Sequence, residues 1–140
     1  MRSARLGVLL LAGGAVVLAA GESKDKGKAP ALEVRTAPRM GFSPLNVLAT
    51  AELRGGDDLE RYHCPEIEWD WGDGSKSVRE SDCEPYEEGT KIQRRFTAQH
   101  RFLRAGIYNV KVTLRRADKV IKRAGVRVTV RAGLGDPSMR

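Results

Sequence analysis

Glu66-Ile67-Glu68-Trp69-Asp70-Trp71-Gly72-Asp73-Gly74 is the stretch whose pattern decides the fold. Side chains of a strand alternate between its two faces, so Ile67, Trp69 and Trp71 fall on one face and Glu66, Glu68 and Asp70 on the other. The first face is core and the second is wet. Gly72, Asp73 and Gly74 follow directly, and these residues tolerate positive φ or hydrogen-bond their own backbone, so the strand turns there. A strand that buries two indoles and ends in an Asp-Gly turn belongs at the centre of a β-sandwich.

Working outward, the same period of two recurs on both sides. Leu32 to Ala37 alternates and then meets Pro38, Gly41 and Pro44, which predicts an edge strand followed by a bend. Leu45, Val47, Ala49, Ala51 and Leu53 form the inward series of a second strand, closed by Gly55-Gly56-Asp57-Asp58. After the central strand, residues 75–90 are polar and turn-rich, a long excursion with room for one short edge strand. Residues 91–102 resume an extended pattern with Ile92, Phe96, Ala98, His100 and Phe102 on one face. From Gly106, Tyr108, Val110, Val112 and Leu114 point in and Asn109, Lys111, Thr113 and Arg115 point out. A last strand over 120–130 turns Val126, Val128 and Val130 inward and Arg127 and Thr129 outward. About seven short strands at this spacing, with no helical period, predict an all-β sandwich.

The chain has 140 residues, 41% apolar and 31% charged, the size of one compact domain. Arg2 and Arg5 precede an unbroken run of small and apolar residues from Leu6 to Ala20, and polar residues follow. Residues 1–20 therefore have the order of a secretory signal, with cleavage after Ala19 or Ala20. An uncleaved membrane anchor is the alternative, but the run is shorter than the roughly 20 residues a spanning helix needs. Residues 21–31, rich in Lys, Gly and Pro, are expected to be a flexible linker, and residues 132–140 a frayed tail. The mature chain is expected to be exported, to the periplasm, the cell surface or the medium, with no transmembrane span.

Several spaced motifs agree in order with one family. Trp69-Asp70-Trp71-Gly72-Asp73-Gly74, then His100-x-Phe102, then Gly106-x-Tyr108-x-Val110-x-Val112-x-Leu114, together with the opening Pro38-x-x-Gly41-x-x-Pro44-Leu45-x-Val47, resembles the PKD domain, an immunoglobulin-like β-sandwich of extracellular proteins. The domain would span residues 32–131. Trp71 stands where the family usually has Phe, and the two cysteines are a further departure. The resemblance implies a non-catalytic interaction or spacer domain. It also implies that Tyr108 forms a tyrosine corner, its hydroxyl tying a loop to the strand, and that His100 is a hydrogen-bonded packing residue.

The motif residues admit other chemistry. Trp69 and Trp71 could form a sugar-stacking platform, but sharing the face of Ile67 places them in the core. Asp70, Asp73 and Gly74 could line a calcium loop, yet their spacing lacks the alternating oxygen ligands of the common loop, and stabilising the turn is the expected role. Cys64 and Cys83 are the only cysteines, and export would place them where disulfides persist, so they are expected to pair. Closing that loop of about 20 residues is worth roughly 3 kcal/mol on the chain-entropy account. A metal site using His63, Cys64 and Cys83 lacks paired ligand spacing.

Charge is segregated along the chain. Residues 57–88 hold twelve acidic and three basic side chains, whereas residues 91–140 hold fourteen basic and two acidic ones. Lys111, Arg115, Arg127 and Arg131 project outward from the last two strands, with Lys119, Lys122 and Arg123 around their hairpin, so one sheet is expected to carry a basic stripe. Such a stripe attracts phosphate-bearing polymers, anionic lipid head groups or acidic protein surfaces, or simply keeps a sheet soluble. Nucleic acid is not expected, because no recognition motif accompanies the charge. No arrangement of Ser, His and Asp, no phosphate loop and no metal cluster is recognisable, so no enzyme activity, metal or cofactor is expected. The expected function is binding of proteins or glycans at the cell envelope, through the acidic loop at 79–88 and the basic strands. A structural accessory subunit of an envelope assembly and an electrostatic binder of anionic polymers are the alternatives.

Overall fold

Alternation of apolar and polar side chains organises eight strands into two facing sheets. The computed structural model describes residues 27–137. The proposed signal sequence, residues 21–26 of the linker and residues 138–140 lie outside the described residues. One sheet has three antiparallel strands in the order β1 (Ala31–Ala37), β3 (Leu45–Arg54) and β6 (Arg95–Phe102). The other has five, in the order β2 (Met40–Phe42), β8 (Lys119–Arg131), β7 (Gly106–Arg116), β4 (Glu66–Asp70) and β5 (Lys76–Arg79). A 3-10 turn, Glu60–Tyr62, precedes β4.

The predicted inward series meet between the sheets. Val47, Ala49, Ala51, Leu53, Phe96 and Phe102 of one sheet face Ile67, Trp69, Val110, Val112, Leu114, Val128 and Val130 of the other, all buried. This is the expected immunoglobulin-like sandwich. Burial of each such side chain contributes about 1.5–3 kcal/mol, which explains why strict alternation fixes the strand registers.

Two features depart from the local pattern. Within the expected bend, Met40–Phe42 forms β2, which pairs in parallel with Thr129–Arg131 of β8; the peptide bonds before Pro38 and Pro44 are both cis. The described residues on either side of the strands, 28–30 and 133–136, also make specific contacts. At the N-terminal side the carbonyl of Lys28 accepts the amides of Asp57 and Asp58, and Pro30 is fully buried. At the C-terminal side Asp136 is 3% exposed; its carboxylate accepts the Ser43 hydroxyl and, at 2.8 Å, the Ala105 amide, while the Gly133 amide donates to Ser43 Oγ at 3.0 Å. A buried carboxylate needs such donors, and they clasp the residues after β8 to two other segments.

Candidate functional site

The turn after β4 fastens the two sheets together. Gly72 and Gly74 have φ of +78° and +89°, and a Cβ on Gly72 would approach the Asn109 carbonyl oxygen to 2.8 Å, so only glycine fits there. Asp70 Oδ1 accepts the Gly72 amide, and Asp73 Oδ1 accepts both the amide and the hydroxyl of Ser75. The carboxylates thus serve the turn. Among the described residues no three His, Cys, Asp or Glu side chains are grouped so as to hold a metal ion.

Asp73 uses its second oxygen across the sandwich, where Oδ2 lies 2.7 Å from His100 Nε2 on β6. Burial works against the charged form of Asp73, but the bonds from Ser75 and His100 outweigh it and hold its pKa below the ordinary 3.8. The imidazole lies flat on Trp71, with ring centroids 4.5 Å apart and planes 9° apart. Trp71 stacks in turn on Trp69, and His100 meets Phe102 edge-on. Phe102 then stacks on Tyr108. One aromatic ladder therefore joins the family-motif residues, and both tryptophans, at 3% and 0% exposure, are unavailable as a sugar platform.

Tyr108 makes the expected corner, its hydroxyl donating to the Arg104 carbonyl at 2.7 Å. Gly106 opens the strand beneath it, with the Tyr108 ring close over the glycine. Burial, followed by the charges of Asp73 and Asp136, raises the Tyr108 pKa. Cys64 and Cys83 are disulfide-bonded, with Cα atoms 6.0 Å apart. Beside the bridge, His63 Nε2 lies 2.8 Å from the Glu84 carbonyl and its ring meets Tyr86 edge-on. The loop from Glu80 to Glu84 is exposed yet anchored at its middle.

The cations expected to form one stripe occupy three places. Cross-strand register puts Gly125, Lys111, Asp70 and Lys76 in one row across β8, β7, β4 and β5, with Arg123, Thr113, Glu68 and Val78 in the next. Apart from Val78, these rows line an open depression of about 550 Å³ on the outer face of the five-stranded sheet. Gly125 leaves its floor bare, since a Cβ there would sit 3.3 Å from the Val110 carbonyl oxygen. Arg115 and Lys76 both turn to Glu68, at 3.5 and 3.6 Å, whereas Lys111 and Arg123 have no ion pair among the described residues. Arg127 and Arg131 lie farther along β8, toward the clasp. Lys122 lies opposite the buried Leu114 in the same unbroken register as Val126 and Val128, and a bulge between Leu114 and Arg115 then brings Lys119 opposite Arg116. Those two lysines therefore leave the outer face. Local alternation cannot reveal the bulge that displaces Lys119, whereas for Lys122 the alternation of Val126 and Val128, carried on to position 122, already gives the inward face.

Comparison with known proteins yields no matching family model. No curated protein matches either. Among solved structures, a PKD domain of an M14-like peptidase from a Thermoplasmatales archaeon superposes with a TM-score of 0.52 at 16% identity, over 74% of this chain and 97% of that one. The chain folds as a PKD-like domain. Within that fold Trp71, His100, Phe102 and Tyr108 pack one on the next, and Asp73 bonds to His100.

Proposed function

We propose that the chain is a non-catalytic, exported PKD-like domain that binds a protein or glycan at the cell envelope or surface. Export is supported by the Cys64–Cys83 disulfide, a bond that persists in oxidising compartments, and by the secretory order of residues 1–20. The observation that carries the binding reading is the depression over Gly125, flanked by Lys111 and Arg123 with no ion pair among the described residues and by the carboxylates of Asp70 and Glu68. Cations and carboxylates facing one bare backbone patch suit a polar partner that offers both signs or many hydroxyls. The polar side chains with the greatest capacity for chemistry, His100, Asp73 and Asp136, serve packing and turn geometry. That distribution supports a role without catalysis.

The test is capture of envelope components by the oxidised full chain, washed at low and then high salt and analysed by mass spectrometry and glycan analysis. A defined partner retained at high salt supports the interaction module, because apolar and hydrogen-bonded contacts are not screened as exposed charge contacts are. Complete elution by salt favours the second reading, an electrostatic binder of anionic polymers, to which Lys111 and Arg123 also lend support.

A further inference from the structure

The end of the sandwich that carries the Asp136 clasp is chemically unlike the rest of the surface. Asp136 draws together three segments, around Ser43, Ala105 and Gly133. Each of these segments exposes a large apolar side chain. Phe42 is 64% exposed, Leu103 and Ile107 are similarly bare, and Leu134 projects fully. Met40 extends the group, since Met40, Thr129 and Ile107 lie in one row across β2, β8 and β7. Most of the exposed large hydrophobics among the described residues therefore gather at one end.

Charge at this end has one sign. Arg39, Arg104, Arg127 and Arg131 are exposed around the apolar group, and none has an ion pair among the described residues. The nearby carboxylates are engaged, Asp136 buried in the clasp and Asp73 bonded to His100 and Ser75. The opposite end holds the disulfide and the acidic loop.

We propose that the clasp end docks on an anionic lipid bilayer, with Phe42, Leu103, Ile107 and Leu134 entering the headgroup boundary and the four arginines meeting lipid phosphates. Arginine suits that position because its stem packs against apolar surface while its guanidinium stays at phosphate depth. A bilayer accepts projecting side chains from separate segments without a matching contour, whereas a protein partner needs a shaped receptor. Three surface depressions of the described residues lie elsewhere, on sheet faces and edges. A second copy would bring the arginines onto one another, or onto an acidic end with little exposed apolar surface to cover the group. This docking goes beyond the interaction reading above and does not depend on it.

The test uses the full chain, oxidised, with bicelles carrying a paramagnetic headgroup label, observed through methyl signals. Because residues 6–20 could themselves bind lipid, the readout is which end of the domain is broadened. Selective broadening of Met40, Leu103, Ile107 and Leu134 methyls in anionic bicelles, with Val120 and Leu53 spared, is expected. Leu103→Asp combined with Leu134→Asp should weaken binding to anionic vesicles roughly ten-fold, and Arg104→Glu with Arg131→Glu should remove the preference for anionic over neutral lipid. These positions are exposed, so unchanged core methyl shifts will certify folding. Broadening confined to the opposite end, no broadening, or protection of these methyls by self-association without lipid would overturn the proposal.

Discussion

His100 Nε2 lies 2.7 Å from Asp73 Oδ2, a bond that runs from β6 of one sheet to the turn that closes β4 of the other. The imidazole is simultaneously stacked on Trp71, so a polar contact and an aromatic contact fix the same inter-sheet spacing. A titratable side chain spent in this way contributes to stability, and its removal is measurable without any ligand.

Asp73 gives a pH dependence with a definite sign. Its pKa is lowered in the folded state, so the folded chain binds fewer protons than the unfolded chain, and the associated stability is present above the unfolded value of about 4 and lost as pH falls below it. Urea midpoints of wild type and Asp73→Asn should therefore differ at pH 6 and converge as pH falls below about 4. A difference that persists unchanged in acid would contradict the assignment.

Tyr108→Phe deletes the hydroxyl that donates to the Arg104 carbonyl and leaves the ring on Phe102. The expected loss is about 1 kcal/mol, the usual net worth of one such bond. Chemical denaturation checks it, and the near-ultraviolet signature of the aromatic ladder should survive.

Trp71 is fully buried, and its Nε1 donates to Ser77 Oγ on β5 at 2.9 Å. Trp71→Ala should cost about 3–5 kcal/mol. Trp71→Phe keeps a buried aromatic ring but forfeits the bond to Ser77, so an intermediate loss is expected. Differential scanning calorimetry of the pair separates packing from hydrogen bonding.

The β7–β8 hairpin turns through Ala117 and Asp118, with φ of +49° and +63°. Two positive-φ residues are what a type I′ turn demands, and alanine is poorly suited to it. Ala117→Asn combined with Asp118→Gly should stabilise the domain by roughly 0.5–1 kcal/mol, read as a rise in thermal midpoint.

Replacing Cys64 and Cys83 together by serine should cost about 3 kcal/mol, visible as a lower denaturant midpoint. It should also render the loop at 80–88 sensitive to limited proteolysis, because the bridge anchors that loop at its middle.

Most of this architecture was legible because it is written in a local period. Ile67, Trp69, Val110, Val112 and Leu114 are each two positions from the next inward residue, and their burial follows from that alone. The pairing of Cys64 with Cys83 followed from their being the only candidates. The missed features share a different cause. β2 is three residues long and pairs with β8 nearly ninety positions away, so nothing nearby in sequence announces it. The Asp136 clasp joins residues 43, 105 and 136 in the same long-range manner. Lys119 left the expected stripe because a bulge moved the register, Lys122 because it continues the inward series of Val126 and Val128, and Glu68 on the neighbouring strand pairs with Arg115. Cross-strand neighbours decide which cations remain available, and they are set by topology rather than by spacing along the chain.

The most direct test of the interaction account is retention of the captured envelope partner by Lys111→Glu/Arg123→Glu, compared with wild type at matched stability and at low and high salt. Both side chains lie at the depression over Gly125 and neither takes part in an ion pair among the described residues, so the fold should be unaffected. The account predicts that partner retention falls at least ten-fold while the denaturation midpoint is unchanged. Undiminished retention by the doubly reversed chain would contradict the assignment of this face as the contact surface.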